Sequence, residues 1–166
     1  RLHFVLTGLP PTIEETDAFI TEARGSLDEA LRHRVDDLLS REQFGERWGR
    51  HWLDVARYSD ASGTTSPKPF KQAWRYRDFV INAFNSDKRW NDFVREQVAG
   101  DLAETDSPVE RAEGLIATGF LALSHVVAAS RDPETLKMDT IDEQLDVVGK
   151  SFLGISIGCA RCHDHK

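Results

Sequence analysis

An all-α, single helical domain of about six or seven helices, closing on a C-terminal C-x-x-C-H segment, is the fold that this sequence predicts. Helix-start signatures recur along the chain, apolar residues fall at helical spacing after each of them, and no stretch alternates as a strand would. With 166 residues, 40% of them hydrophobic, the chain can bury one sizeable core, so residues 1–166 are read as one domain.

Thr12-Ile-Glu-Glu15, directly after Pro10-Pro11, is a capping box and starts the first predicted helix at Ile13. Ser26-Leu-Asp-Glu29 repeats it, with Leu27, Leu31, Val35 and Leu38 following at helical spacing. Ser40-Arg-Glu-Gln43 is a weaker case leading into a one-sided stripe of Phe44, Trp48, Trp52 and Val55 that ends near Tyr58. Residues 59–73 collect Ser62, Gly63, Ser66, Pro67 and Pro69, and form the long internal loop. Residues 74–84 and 90–102 read as two amphipathic helices joined by Asn85-Ser-Asp-Lys88. Ser107-Pro-Val-Glu110 starts another, with Pro108 suited to the first turn. Residues 133–153, carrying Leu136, Ile141, Leu145, Val148 and Phe152, complete the set. No internal repeat appears, which argues against a solenoid.

The formal charge of −7, from 21 basic and 28 acidic residues, argues against nucleic acid or an anionic membrane surface as partner, since both select a basic face. The longest apolar tracts, residues 115–123 and 147–157, are interrupted by glycine and fall short of a membrane span. The chain opens on Arg1 and stops at Lys166 directly after its most informative motif, so it reads as a piece of a longer or processed protein.

That motif is Cys159-Ala-Arg-Cys162-His163, the C-x-x-C-H pattern of c-type haem attachment. Two thiols three apart on a helical turn can each add to one haem vinyl group, and the next imidazole then lies beneath the iron as proximal ligand. Two cysteines placed at random in this composition take that spacing before a histidine only about once in two thousand trials. Chance is therefore a poor explanation. A thiol redox pair calls for a βαβ context that this sequence does not offer. Zinc is the alternative cofactor, held by Cys159 and Cys162 with His163 or His165, although the usual second knuckle is missing from a chain with only two cysteines.

Other residues are candidates for the same site. Met138, the only methionine, and His51 or His125 are candidate distal iron ligands; each also reads as an ordinary core or helix-end residue, and a five-coordinate iron stays open. Lys68, Lys71, Arg75 and Arg77 gather positive charge beside Trp74 and Tyr76, where Arg75 and Arg77 can pair with haem propionates or simply be solvated. Gly154-Ile-Ser-Ile-Gly158 matches a hydrolase elbow in letters only, since no sheet is predicted to hold it. Glu14-Glu15 and Asp36-Asp37 are helix neighbours that point apart, so they read as solvated faces.

The stretches Leu6-Thr-Gly-Leu-Pro-Pro-Thr12, Gly45-Glu-Arg-Trp48, His51-Trp-Leu-Asp54, Ala56-Arg-Tyr58, Ala73-Trp-Arg-Tyr-Arg-Asp78 and Cys159-Ala-Arg-Cys-His-Asp-His-Lys166 together resemble the planctomycete cytochrome C-associated domain, type two. The resemblance covers nearly the whole chain. It implies a module of large exported multidomain proteins, set beside a haem-binding module and a second domain, and it supplies no substrate. The family continues past the motif with an aromatic-Asp-Pro segment, which this sequence lacks. The expected function is thus electron transfer through one covalent haem, with a redox protein or neighbouring domains of the parent chain as partner and a periplasmic or otherwise exported location. A non-redox structural module with zinc or a disulfide is the rival, and a haem enzyme such as a peroxidase comes third.

Overall fold

The computed structural model describes residues 1–62, 69–123, 132–161 and 164, and over these the chain is all-α, with a single isolated β-bridge between Ala61 and Pro69. In chain order the helices are α1 (Leu2–Leu6), α2 (Ile13–Ala23), α3 (Leu27–Leu39), α4 (Glu42–Val55), α5 (Ala73–Asn85), α6 (Trp90–Ala99), α7 (Pro108–Ala117), α8 (Gly119–Ala122) and α9 (Pro133–Val148). Seven of the nine have ten residues or more. The described residues divide into two units, one of Arg1–Trp52 with Val80–Lys88 and the other of Leu53–Phe79 with Arg89–Lys166, so the boundary falls inside α4 and α5.

The three strong start signatures each begin a helix. Thr12 forms the full box: its Oγ1 accepts from the Glu15 amide at 3.2 Å, and Glu15 Oε2 accepts from the Thr12 amide at 2.7 Å. Ser26 and Ser107 supply the forward half, accepting from the Glu29 and Glu110 amides. At Ser107 the glutamate turns elsewhere, because Glu110 Oε2 accepts from the Thr105 hydroxyl at 2.5 Å. Ser40 does not start α4. It ends α3, donating its hydroxyl to the Asp37 carbonyl at 2.7 Å, and α4 begins two residues later at Glu42.

In the first unit, Glu15 anchors the α2–α3 hairpin. Its carboxylate accepts from Arg41 at 2.5 Å and lies 3.8 Å from Arg34 and 3.9 Å from His3. The Thr12 amide, and then Arg41, hold its pKa below the ordinary glutamate value. The buried face of α4 keeps Trp52 of the expected aromatic stripe but not Trp48 or Val55. Gly45 and Gly49 lie against α5, and Trp48 is left at the exposed edge. A Cβ on Gly45 would stand 2.5 Å from the Ile81 carbonyl oxygen. The close approach is locked by Asn85, which accepts from the Gly45 amide at 2.8 Å and donates to the Glu42 carbonyl at 3.1 Å.

The second unit is built on a string of neighbouring rings. Tyr58, Tyr76, Phe79, Phe93, Trp90, Phe152 and Phe120 follow one another at centroid spacings of 6.5, 6.2, 5.9, 5.8, 6.3 and 5.1 Å, offset or tilted as ring quadrupoles prefer. One buried polar pair sits within it: Tyr76 donates to Gln97 Oε1 at 2.6 Å, and Gln97 Nε2 donates to the Phe93 carbonyl at 3.0 Å. Gln97 is fully buried, and these bonds satisfy it where a lone amide would be costly. Helix α6 stops at Ala99 rather than running to Leu102, and residues 100–102 tighten into a 3-10 turn where Gly100 meets Gly114 of α7. The last helix also departs from the expected single span. α9 ends at Val148, Gly149–Leu153 widens into a π-helix, and Gly154 at φ +65° closes it in the left-handed conformation that glycine adopts freely.

Candidate functional site

Gly154 reverses the chain so that the segment after it runs back along α9. The Ile155 amide donates to the Gly149 carbonyl at 3.1 Å, and Gly158 lies beside the Asp146 carboxylate, which Lys150 pairs at 2.6 Å. Gly158–Arg161 then form a 3-10 turn, with the Ala160 amide donating to the Ile157 carbonyl at 2.9 Å. At its end Arg161 reaches two carboxylates of α9, Nη1 to Asp139 at 2.7 Å and Nε to Asp142 at 2.8 Å. The two acids are three residues apart and share one helix face.

This turn presents the first motif cysteine. The Cys159 thiol is free and exposed. Cys162, His163 and His165 lie outside the described residues, as do His125 and Lys68. Met138 stands one helical turn before Asp142 on α9, with 49% of its surface exposed, and so is not buried as core filler. His51 belongs to the first unit, exposed on α4 and edge-on to Trp48 at 5.5 Å between ring centroids. Among the described residues no three His, Cys, Asp or Glu side chains converge in a metal-binding group.

The arginines grouped by the sequence part company on α5. Two residues along a helix turn about 200° around it, so Arg75 and Arg77 face different surroundings. Arg77 is taken by its neighbour, Nε and Nη2 donating to Asp78 Oδ1 at 2.9 and 2.8 Å, and that bonding raises its pKa. Nearby, Tyr58 donates to Asp60 at 2.7 Å, and burial, with the Asp60 carboxylate, pushes its hydroxyl up to about 12. Arg75 donates through Nε to Gln72 at 2.6 Å and lies 5.1 Å over the Trp74 ring. With Lys71 it lines a cleft of about 500 Å³ whose walls include Phe70, Tyr76, Leu115 and Leu123. Two cations at an apolar cleft suit a ligand with an apolar body and acidic groups.

Sequence reasoning missed Asp139 and Asp142. Their only signal is the i, i+3 spacing of two acids on a predicted helix, which by itself says nothing about Arg161 some twenty positions on. Gly154-Ile-Ser-Ile-Gly158 has no strand beside it among the described residues, and Ser156 is exposed in the reversed segment.

A family model described as PSCyt2, protein of unknown function (DUF1549), matches residues 1–166. No curated protein and no solved structure matches the chain.

Proposed function

We propose that this chain, which belongs to the PSCyt2 family of proteins of unknown function, carries one covalent c-type haem and serves electron transfer within a larger exported protein. The observation that carries the reading is the spacing of Cys159, Cys162 and His163. The described part of the motif fits the group, because a free, solvent-exposed thiol at Cys159 is what a haem vinyl needs to reach. Addition of each S–H across one vinyl group forms a thioether without change of oxidation state. His163 would hold the iron, with Met138 or His125 as the candidate second ligand; His51 belongs to the other unit and is left out of the proposal. The bound haem supplies a one-electron couple; the chain's residues anchor, orient and electrically bias it.

Lys71 and Arg75 are the cations proposed for the propionates, with Arg77 in a lesser role because Asp78 already offsets its charge. The redox partner is another protein or a neighbouring domain of the parent chain. Attachment of haem c implies a periplasmic or otherwise exported location. No helix among the described residues is long and apolar enough to cross a membrane.

The test is protein exported from a host with c-type maturation machinery. It should be coloured, retain haem through acid-acetone extraction and gain the mass of one haem. Matured protein that stays colourless, yet releases one equivalent of zinc on thiol modification, overturns the reading in favour of a structural metal. In the haem-loaded protein, Arg75→Gln should lower the midpoint potential more than Arg77→Gln, since a lost unpaired cation disfavours the ferrous state. Equal potentials in wild type and Arg75→Gln would leave Arg75 a surface residue.

A further inference from the structure

We infer that Arg161, two residues after Cys159, is a positioning residue: held by Asp139 and Asp142, it fastens residues 155–161, with Cys159 among them, along α9 and balances the charge there. The fastening is read directly from the described residues, and only the effect on a bound haem rests on the function proposed above.

Three contacts set a register between the reversed segment and α9. Ile155 bonds back to Gly149, Gly158 lies beside Asp146, and Arg161 reaches Asp142 and Asp139. Each step of about three residues along the segment thus matches about one turn of helix. Backbone bonding ties the near end, and the guanidinium ties the far end, next to Cys159. Arginine suits this place for a geometric reason. Its nitrogens are spread over a broad planar cation, so Nη1 approaches Asp139 while Nε approaches Asp142 as an ion pair without an aligned hydrogen bond, whereas the point charge of a lysine serves one carboxylate well. Asp142 is the less exposed acid, with a side chain 26% exposed against 45% for Arg161, so solvent screens the pairing from the arginine side.

The pairing also fixes a local charge. One guanidinium against two carboxylates leaves a net of about −1 beside the segment. Without Arg161 the two acids stand uncompensated, which favours the ferric state of a nearby haem. Without the acids their two negative charges are gone while the guanidinium stays, which favours the ferrous state. A purely structural role predicts otherwise, since both changes loosen the segment in the same way.

Arg161→Gln, Arg161→Lys and the double variant Asp139→Asn/Asp142→Asn separate these effects. In the unloaded, reduced protein, amide hydrogen exchange of residues 155–161 should rise about three- to tenfold in Arg161→Gln and in the double variant, and less in Arg161→Lys. Unchanged exchange in both would overturn the fastening, whatever the protein binds. In haem-loaded protein the midpoint potential should fall in Arg161→Gln and rise in the double variant. Shifts of the same sign would overturn the charge-balancing role. Faster exchange in a wild-type background that takes up no haem would support the fastening and count against the haem reading alone.

Discussion

Replacing Cys159 and Cys162 together with alanine is expected to abolish haem retention, taking covalent haem from one per chain to none after acid-acetone extraction. In the proposed attachment the thioether bonds would be the only links to survive acid, because protonation of a ligating imidazole would release the iron while leaving carbon–sulfur bonds intact. Each single replacement should leave one thioether and part of the retention. Replacing His163 should act differently, since the thiols still hold the ring while the proximal ligand is lost. The protein then keeps its haem mass but changes spin state, visible in the absorption spectrum. If the double cysteine variant retains as much acid-stable haem as wild type, attachment at these residues is wrong.

Gly114→Ala is expected to give the largest loss of stability among single methyl additions. A Cβ at Gly114 would lie 2.3 Å from the Gly100 carbonyl oxygen and 2.9 Å from its carbon. The obstacle is backbone on both sides, and no flexible side chain can swing away to make room. The 3-10 turn at residues 100–102 and α7 must separate, at a cost of about 3 kcal/mol or more, with a fall in Tm of roughly 6–12 °C. Gly154→Ala is the matched control. Nothing lies within 4 Å of a Cβ there, so its cost is the left-handed backbone alone, about 1 kcal/mol. Thermal melts followed by far-ultraviolet dichroism check both, and a Gly114→Ala melt equal to that of wild type would show that the packing of the 3-10 turn on α7 does not depend on this contact.

These two sites mark where local sequence stops being informative. Thr12, Ser26 and Ser107 announce their helices because a cap needs only residues within four positions of it, and the structure places all three starts as read. Gly45, Gly49, Gly100 and Gly114 carry no such signal. A glycine that admits a neighbouring backbone looks, in sequence, like one that merely weakens a helix, and the apolar pattern pointed to Trp48 instead of the glycine face. The site divides in the same way. The C-x-x-C-H pattern can be proposed from sequence because the chemistry it suggests is confined to five residues. The carboxylates that hold Arg161 are contributed by a helix some twenty residues earlier, and Arg75 and Arg77 look like a pair until the turn of α5 separates them. The short helices α1 and α8 went unread because neither is long enough to show a period.

The π-helix at Gly149–Leu153 acts as a gear setting between α9 and everything that follows it. In an α-helix each residue advances the chain by about 100° around the axis, and the wider turn takes up one residue more than an α-turn of the same height. Chain length in these five positions is therefore a choice of azimuth. Removing one residue would let the turn wind as α and swing Gly154 by about that angle, aiming the returning strand of chain at a different side of α9. A residue added to a surface loop is absorbed as slack, but one added or lost here is converted into rotation.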